Sequence, residues 1–493
     1  MTAFSRLLTH ALPLPLACTL LLAGCAVGPD YQRPDAPVSE SFKEADAATP
    51  AWRGDWKPAE PQDALARADW WTVFGDAQLD ALMAEVQISN QNIKAAEAQY
   101  RQAVASLQAA RAGFFPTVDA QAGASRARGA SGNTLNGQNL TLGAAWELDV
   151  WGRVRRQVES SEAGAQASEA DLASTLLSTQ ATLAQSYFLL RVADAQKALL
   201  DRTVADYQKS LQLVQNQYAA GTAQRSDVLQ SETQLKSAQA QQIDIQITRA
   251  QLEHAIAVLV GKPPAALSLA AGEFRAAAPR VPAALPSQLL ERRPDIGAAE
   301  RRMASANAQI GVAQAACYPT LSLSASGGLT ASTLARWMSL PDRIWSIGGG
   351  LAGTLFDGGA RRAAKAQAVA AYDQTVANYR QTVLGAFQEV EDNLAAQRLL
   401  EQEAVVQNDA LRSAREALAL VNNRYRAGTA GLLDVLTAQT SAYTAERTAL
   451  SISGRQYTAA VVLIKALGGG WHAQPASGGA GGAAPAAATV GQR

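Results

Sequence analysis

The sequence predicts an α+β fold in which one unit, a helix, a pair of strands and a long helical hairpin, is used twice. Three observations carry this. First, Asn216-Gln217-Tyr218-Ala219-Ala220-Gly221-Thr222-Ala223 returns as Asn423-Arg424-Tyr425-Arg426-Ala427-Gly428-Thr429-Ala430, 207 residues later, and 10 of the 21 positions from 216 to 236 are identical at that offset. Second, no proline occurs between Trp151 and Lys262 or between Asp342 and Gln474, and both stretches are dense in the helix formers Ala, Gln, Leu, Glu and Arg. Third, each long stretch is preceded by segments that alternate apolar and polar residues with the period of a strand.

The first strand pair is expected at 115–126 and 139–150, the second at 319–328 and 345–356. Leu140, Leu142, Ala144, Trp146 and Leu148 share one face, opposite Thr141, Gly143, Glu147 and Asp149. Leu321, Leu323 and Ala325 alternate with Ser322, Ser324 and Ser326, and Trp345, Ile347, Leu351 and Leu355 with Ser346, Gly348, Ala352 and Thr354. About ten residues of such alternation is the length and period of a transmembrane strand. Trp146, Trp151, Tyr318 and Trp345 lie near strand ends, where interfacial aromatics sit. The offset between Pro116 and Pro319 is 203, whereas Leu148 to Leu355 and Gly152 to Gly359 give 207, so the second copy carries four extra residues in the loop between its strands.

Helices are expected at 76–112 and 286–316 ahead of the strands. Behind them, Gly152 to Tyr218 spans 67 residues, about 100 Å if helical throughout. Leu200, Val204, Tyr207, Leu211, Val214 and Tyr218 recur at the spacing of a coiled-coil seam, as do Leu411, Ala414, Leu418, Val421 and Tyr425. Gly221 and Gly428 stop these helices, and a second helical run returns from each.

The chain has 493 residues, Lys+Arg and Asp+Glu are both 43, and charged residues make up 17%. Zero net charge gives no electrostatic case for nucleic acid. Three cysteines and three histidines, His10, His254 and His472, argue against a disulfide scaffold, a metal centre or a His-driven hydrolase. No catalytic constellation and no cofactor site are visible. His254 reads as structural or solvated, and Glu389, Glu391 and Asp392 as a solvated helix face.

Residues 1–24 read as a secretory signal, with Arg6 its only charge and Leu22-Ala23-Gly24-Cys25 at its end. Small residues before a cysteine, after an apolar run, resemble a bacterial lipobox, which makes Cys25 a lipidation site. Ala26 follows where an aspartate would mark inner-membrane retention, which points to the outer membrane. Four strands cannot close a membrane barrel, since about eight is the practical minimum. The fold class is therefore an α+β membrane protein that must oligomerise, and three copies would supply twelve strands.

Together these features resemble the outer-membrane factor family of tripartite efflux systems, in its lipoprotein branch of NodT-like proteins. The matching stretches are Gly28-Pro29-Asp30-Tyr31, Trp70-Trp71-Thr72-Val73-Phe74-Gly75-Asp76, Leu290-Glu291-Arg292-Arg293-Pro294-Asp295-Ile296, Tyr318-Pro319, Leu355-Phe356-Asp357-Gly358-Gly359 and the two Gly-Thr turns, covering roughly residues 22–468. The resemblance implies a homotrimer with a 12-stranded outer-membrane β-barrel continued by a 12-helix periplasmic α-barrel. It implies a passive exit channel for drugs or other small molecules, with a periplasmic adaptor, an inner-membrane pump and outer-membrane lipid as partners. The division expected is signal 1–24, lipidated wrap 25–75, first repeat 76–262, linker 263–285, second repeat 286–468 and disordered tail 469–493. The helical tips are the expected gate. Asp227 and Asp434 each follow their turn glycine by six residues, so a trimer could hold six carboxylates around one axis. Leu433 neighbours them as an apolar plug, and Ser226, Tyr425 and Thr437 are available for inter-helix hydrogen bonds. Gly221, Thr222, Gly428 and Thr429 form the rim to which an adaptor would dock. The readings in competition are the outer-membrane channel of a type I protein secretion system and a periplasmic coiled-coil scaffold or adaptor.

Overall fold

The computed structural model describes residues 27–36, 42–46, 69–128, 132, 134–274, 293–331 and 343–469. The signal segment, Cys25 and the tail beyond residue 469 lie outside the described residues. In chain order the elements are α1 (Lys43–Asp46), a 3-10 turn (Trp70–Phe74), α2 (Ala77–Ser89), α3 (Gln91–Ala112), β1 (Thr117–Arg128), β2 (Thr134–Leu148), α4 (Arg153–Ala219), α5 (Arg225–Leu259), a 3-10 turn (Pro264–Ala266), α6 (Pro294–Ala315), β3 (Thr320–Ala331), β4 (Arg343–Ala352), α7 (Ala360–Arg426) and α8 (Leu432–Ala466).

The duplication is metrical. α4 and α7 each run 67 residues, and α5 and α8 each run 35. At 1.5 Å per residue the long helices span about 100 Å and the returning ones about 50 Å. An aspartate starts each long helix: Asp149 accepts the N–H groups of Val154 and Arg155, both at 2.8 Å, and Asp357 those of Gly359 at 2.9 Å and Arg361 at 3.1 Å. These bonds satisfy donors that a helix start leaves without partners.

The strands form one antiparallel sheet in the order β1-β2-β3-β4. Thr117 stands opposite Ala145, Leu148 opposite Leu321, and Thr320 opposite Ala352. This register puts Val118, Ala120 and Ala122, Leu140, Leu142 and Trp146, Leu321 and Leu323, and Trp345, Ile347 and Leu351 on one face. The other carries Asp119 and Gln121, Thr141 and Glu147, Ser322, Ser324 and Ser326, and Ser346, with Ile344 as an apolar exception. Among the described residues neither face is covered: Val118, Trp345, Ile347 and Leu351 are each more than 70% exposed. Both outer strands, β1 and β4, present an open edge.

Several boundaries differ from the sequence expectation: β1 runs 117–128 rather than 115–126, β2 starts at 134 rather than 139, β3 reaches 331 rather than 328, β4 starts at 343 rather than 345, and the helix expected at 286–316 is described from Pro294 to Ala315, residues 286–292 lying outside the described residues. The helix expected at 76–112 is two helices, because Asn90 caps the second: its side-chain oxygen accepts the N–H groups of Asn92 and Ile93, at 2.9 and 3.1 Å, while its amide donates to the Leu259 carbonyl at 2.7 Å. β4 ends at Ala352 rather than 356, since its partner β3 is preceded by Pro319, which has no N–H to extend the ladder. Leu355 and Phe356 are left fully or almost fully exposed.

The main core lies part-way along α4. Trp70, Trp71 and Phe74 pack there with Leu79 and Met83 of α2, Leu183, Tyr187 and Phe188 of α4, Ile256 of α5 and Tyr457 of α8. Burying each large side chain contributes about 1.5–3 kcal/mol. A smaller cluster of Phe42, Val390, Leu463 and Ala466 sits in the second copy; Leu183 and Ile256 become Val390 and Leu463 at the repeat offset. Elsewhere α4 and α6 pack side by side, Ser160 bonding Ser305 and Gln309, and Ala163 and Ala167 of the one and Ala304 and Ala308 of the other are buried. The expected seam is present in α4, where Leu200, Val204, Tyr207 and Val214 are buried; Tyr218, at its end, is 45% exposed.

Buried ions hold the connecting segments to this level. Asp194 accepts from Arg191 at 2.9 Å, Arg249 at 2.7 Å and the Gly272 N–H at 3.2 Å. Arg249 also donates to the Leu269 carbonyl at 2.5 Å, and Glu253 accepts the Leu269 N–H at 2.6 Å. Of Glu389, Glu391 and Asp392 on α7, the first two are not solvated, while Asp392 is exposed and accepts from Gln388 of its own helix at 3.4 Å. Glu389 pairs with buried Arg293 at 2.8 Å and with Lys465 at 3.1 Å, and Glu391 accepts the N–H groups of Lys43 and Glu44, at 2.7 and 3.0 Å, starting α1. His254 is exposed on α5.

Candidate functional site: the helical tips

Each long helix ends in the same backbone device. The Gly221 N–H donates to the Tyr218 carbonyl at 3.0 Å and the Thr222 N–H to the Gln217 carbonyl at 2.9 Å. Gly428 and Thr429 repeat this on Tyr425 and Arg424 at 3.0 and 2.9 Å. This double bond pattern is the Schellman end, and it needs a left-handed residue at the glycine position. Gly221 and Gly428 supply it with φ of 75° and 71°. Both threonine hydroxyls donate to the same carbonyls as their own N–H groups, at 3.0 and 3.1 Å. A Cβ at either glycine would meet nothing within 4 Å. The turns are therefore closed by their own hydrogen bonds and exposed, and among the described residues nothing packs on their outer side.

Asp227 and Asp434 occupy the third position of α5 and α8. Each reaches back to the N–H that precedes its helix, Asp227 to Gln224 at 3.1 Å and Asp434 to Gly431 at 3.0 Å. A carboxylate there also sits at the positive end of the helix dipole. Within one chain the two aspartates cap their own helices and do not bond to each other. Of the three groups expected to link helices, Ser226 points to Gln224 in its own turn at 3.3 Å and Thr437 donates to the Leu433 carbonyl of its own helix at 2.8 Å. Tyr425 alone of the three reaches the other hairpin, donating to Gln217 Oε1 at 2.8 Å. Leu433 is 61% exposed.

The sequence reading missed a polar ladder above the tips. Gln439 donates to Ser210 at 3.2 Å; Gln234 donates to Tyr207 at 3.0 Å and Thr440 at 2.7 Å; Tyr443 donates to Gln241 at 2.8 Å. Arg202 of α4 and Arg415 of α7 share Glu446 of α8, at 3.0 and 2.6 Å. The available signal was the glutamine density of the seam helices, but pairing each glutamine with its partner requires the hairpin packing. A cleft of about 210 Å³ lies among Tyr207, Gln234, Gln241, Thr440 and Tyr443. Among the described residues, no group of three His, Cys, Asp or Glu side chains is placed to hold a metal ion, and no helix is long and apolar enough to cross a membrane.

The family model described as outer membrane efflux protein matches residues 82–262 and 285–469. The chain belongs to that family. It is 32% identical to the probable efflux pump outer membrane protein TtgC of Pseudomonas putida over 478 residues, 94% of this chain and 96% of the relative. It is 33% identical to the pyoverdine export outer membrane protein OpmQ of Pseudomonas aeruginosa over 473 residues, 93% and 96% of the two chains. Among solved structures, the outer-membrane channel OprN superposes with a TM-score of 0.81 at 32% identity, covering 91% of this chain and all of that one. The open-state MtrE outer membrane channel of Neisseria gonorrhoeae gives 0.80 at 28%, covering 91% and 99%. This outer membrane efflux protein is thus an outer-membrane exit channel for efflux, in a family of channels rather than enzymes.

Proposed function

We propose that three copies of the chain assemble into a passive duct, a 12-stranded barrel in the outer membrane continued by a 12-helix tunnel in the periplasm. The observation that carries this is the sheet: four strands, two open edges, one apolar face and one polar face, both uncovered among the described residues. An open exposed edge is a template for another strand. β1 and β4 run in opposite directions, so the β4 edge of one copy can take the β1 edge of the next and keep the sheet antiparallel. Closure puts the apolar face in lipid and the polar face in water. Phe115, Trp146, Tyr318 and Phe356, near the helix-proximal ends of the strands, suit the periplasmic interface.

A lipid anchor at Cys25 fits the same picture. The Val27 N–H donates to the Trp151 carbonyl at the foot of the sheet at 3.1 Å, and buried Arg156 holds Asp30 at 2.9 Å. The chain two residues beyond Cys25 is therefore at the membrane end of α4. The wrap assigned to 25–75 and the linker assigned to 263–285, which joins repeats 76–262 and 286–468, lie in part outside the described residues; Trp70, Trp71 and Phe74 of the wrap pack in the mid-helix core. The six Gly-Thr turns form the rim that meets a periplasmic adaptor, through which an inner-membrane pump supplies the energy. Asp227, Asp434, Leu433, Tyr425, Ser226 and Thr437 form the closed end. Drugs or other small molecules pass without chemistry, cargo choice residing in the pump. Purified protein in mild detergent should migrate as a heat-modifiable trimer on a semi-native gel and conduct ions in planar bilayers. A monomer that never conducts would refute the duct.

A further inference from the structure

Charge on the sheet is segregated by face. The apolar face bears Arg126 and Arg128 at the far end of β1 and Arg343 at the start of β4, all exposed, and no acidic residue among the described positions. The polar face bears Asp119 and Glu147. The three arginines lie at the end of the sheet remote from the helices, beyond the apolar band. Among the described residues none of them pairs with a carboxylate; Arg128 makes one bond, to the Gly132 carbonyl at 3.1 Å. Beside them on the same face stand Asn136, opposite Arg126, and Thr134, opposite Arg128.

β1 and β4 are opposite edges of one sheet, but the repeat specifies how they meet between copies. Thr117 pairs with Ala145, and the residues 203 and 207 further on, Thr320 and Ala352, pair with each other, so the two copies share one register. Within the chain, the junction between the two repeats, β2 against β3, pairs Gln138 with Ala331 and Leu140 with Leu329. Carried forward by the same two offsets, that junction sets Trp345 opposite Arg128 of the partner subunit and Ile347 opposite Arg126 of the partner subunit. Arg343 is then one diagonal step from the partner subunit's Arg128, about 7–8 Å away. In a trimer closed in that register, three guanidiniums from two subunits would converge on one outward-facing seam, with an indole against one of them.

Planar guanidiniums grouped without a carboxylate recognise phosphate through paired N–H donors. The seam faces lipid at the level of the outer leaflet, remote from the periplasmic helices. We propose that each seam between subunits binds the phosphate groups of an outer-leaflet phosphoglycolipid, three sites per trimer. The site rests on the barrel reading, since no single copy contains it.

The test is native mass spectrometry of the delipidated trimer titrated with lipopolysaccharide, the same glycolipid stripped of phosphate, and phosphatidylglycerol. The site predicts saturation at three glycolipids per trimer, and at least tenfold weaker binding of the stripped glycolipid and of phosphatidylglycerol. Replacing Arg126, Arg128 and Arg343 together by Ser should weaken lipopolysaccharide binding at least tenfold while the trimer persists, and replacing all three by Lys, which keeps the charge but loses the paired donors, should weaken it measurably but less than Ser does. Binding unchanged in the Ser variant, or indifferent to phosphate, overturns the site and leaves the barrel standing. Equal binding of phosphatidylglycerol overturns the choice of glycolipid. A chain that never trimerises overturns the barrel and the seam together.

Discussion

Replacing Tyr425 by Phe deletes one hydroxyl and leaves the ring in place, so it isolates the bond between the two hairpin tips. That bond, Tyr425 to Gln217 at 2.8 Å, is neutral, and a neutral hydrogen bond contributes about 0.5–1.5 kcal/mol net. Both partners are only half-buried, so water replaces part of what is lost and the lower end applies. Three copies then give about 1.5 kcal/mol for the closed ring, roughly a tenfold shift from closed toward open. Single-channel recording in planar bilayers should show open probability rising about tenfold in Tyr425→Phe and by a similar factor in Gln217→Ala. The double variant should add little to either, because both remove the same bond. Wild-type gating in both single variants, or fully additive effects, would refute the tip bond as a restraint on opening.

Further predictions bear on other parts of the molecule. Replacing Asp227 and Asp434 together by Ala should raise single-channel conductance; it also removes two helix caps, each worth about 1 kcal/mol, so hydrogen exchange should quicken near residues 222–230 and 429–437 and nowhere else. Asp194→Asn takes the charge from a carboxylate that holds two arginines. Arg249 keeps Glu253 at 3.2 Å, so the low end of the buried-pair penalty applies, about 3 kcal/mol, and the Gly272 amide should exchange over a hundredfold faster while the tips are unchanged. The side chain of Arg361, with the N–H groups of Gly359 and Arg361, holds the Asp357 carboxyl down to about 2 from an ordinary 3.8. Its folded pKa is the lower one, so its contribution is present above about pH 4 and is lost as pH falls toward 2. Protection at the start of α7 should fall across that window, and Asp357→Asn should flatten the dependence.

The parts of the fold written in local chemistry were readable from sequence. α4 and α7 follow from glycine before, glycine after and no proline between. The strand faces follow from alternation, and the open sheet edges from counting strands. What escaped reading depends on partners far along the chain. Asn90 looks like any helix asparagine until its amide is seen on the Leu259 carbonyl. Glu389 and Glu391 look solvated because Arg293, Lys465 and the start of α1 lie far from them in sequence. At the tips, the Gly-Thr turns were legible because a helix stop is a local signal. The use of Ser226 and Thr437 within their own helices was not, since a hydroxyl serves a local carbonyl or a distant partner equally well. Gln217 became a candidate only when Tyr425 was placed beside it.

The central claim is that neighbouring copies join β4 to β1, in the register that the repeat dictates. With Cys317 replaced by Ser, Gly349→Cys and Ala124→Cys together place two thiols directly opposite across the seam. Oxidation in intact outer membranes should give a covalent ladder ending at trimer, and moving the first cysteine to Gly348, which points to the other face, should abolish it. Monomer alone in the matched pair, or equal ladders in both, would contradict the account.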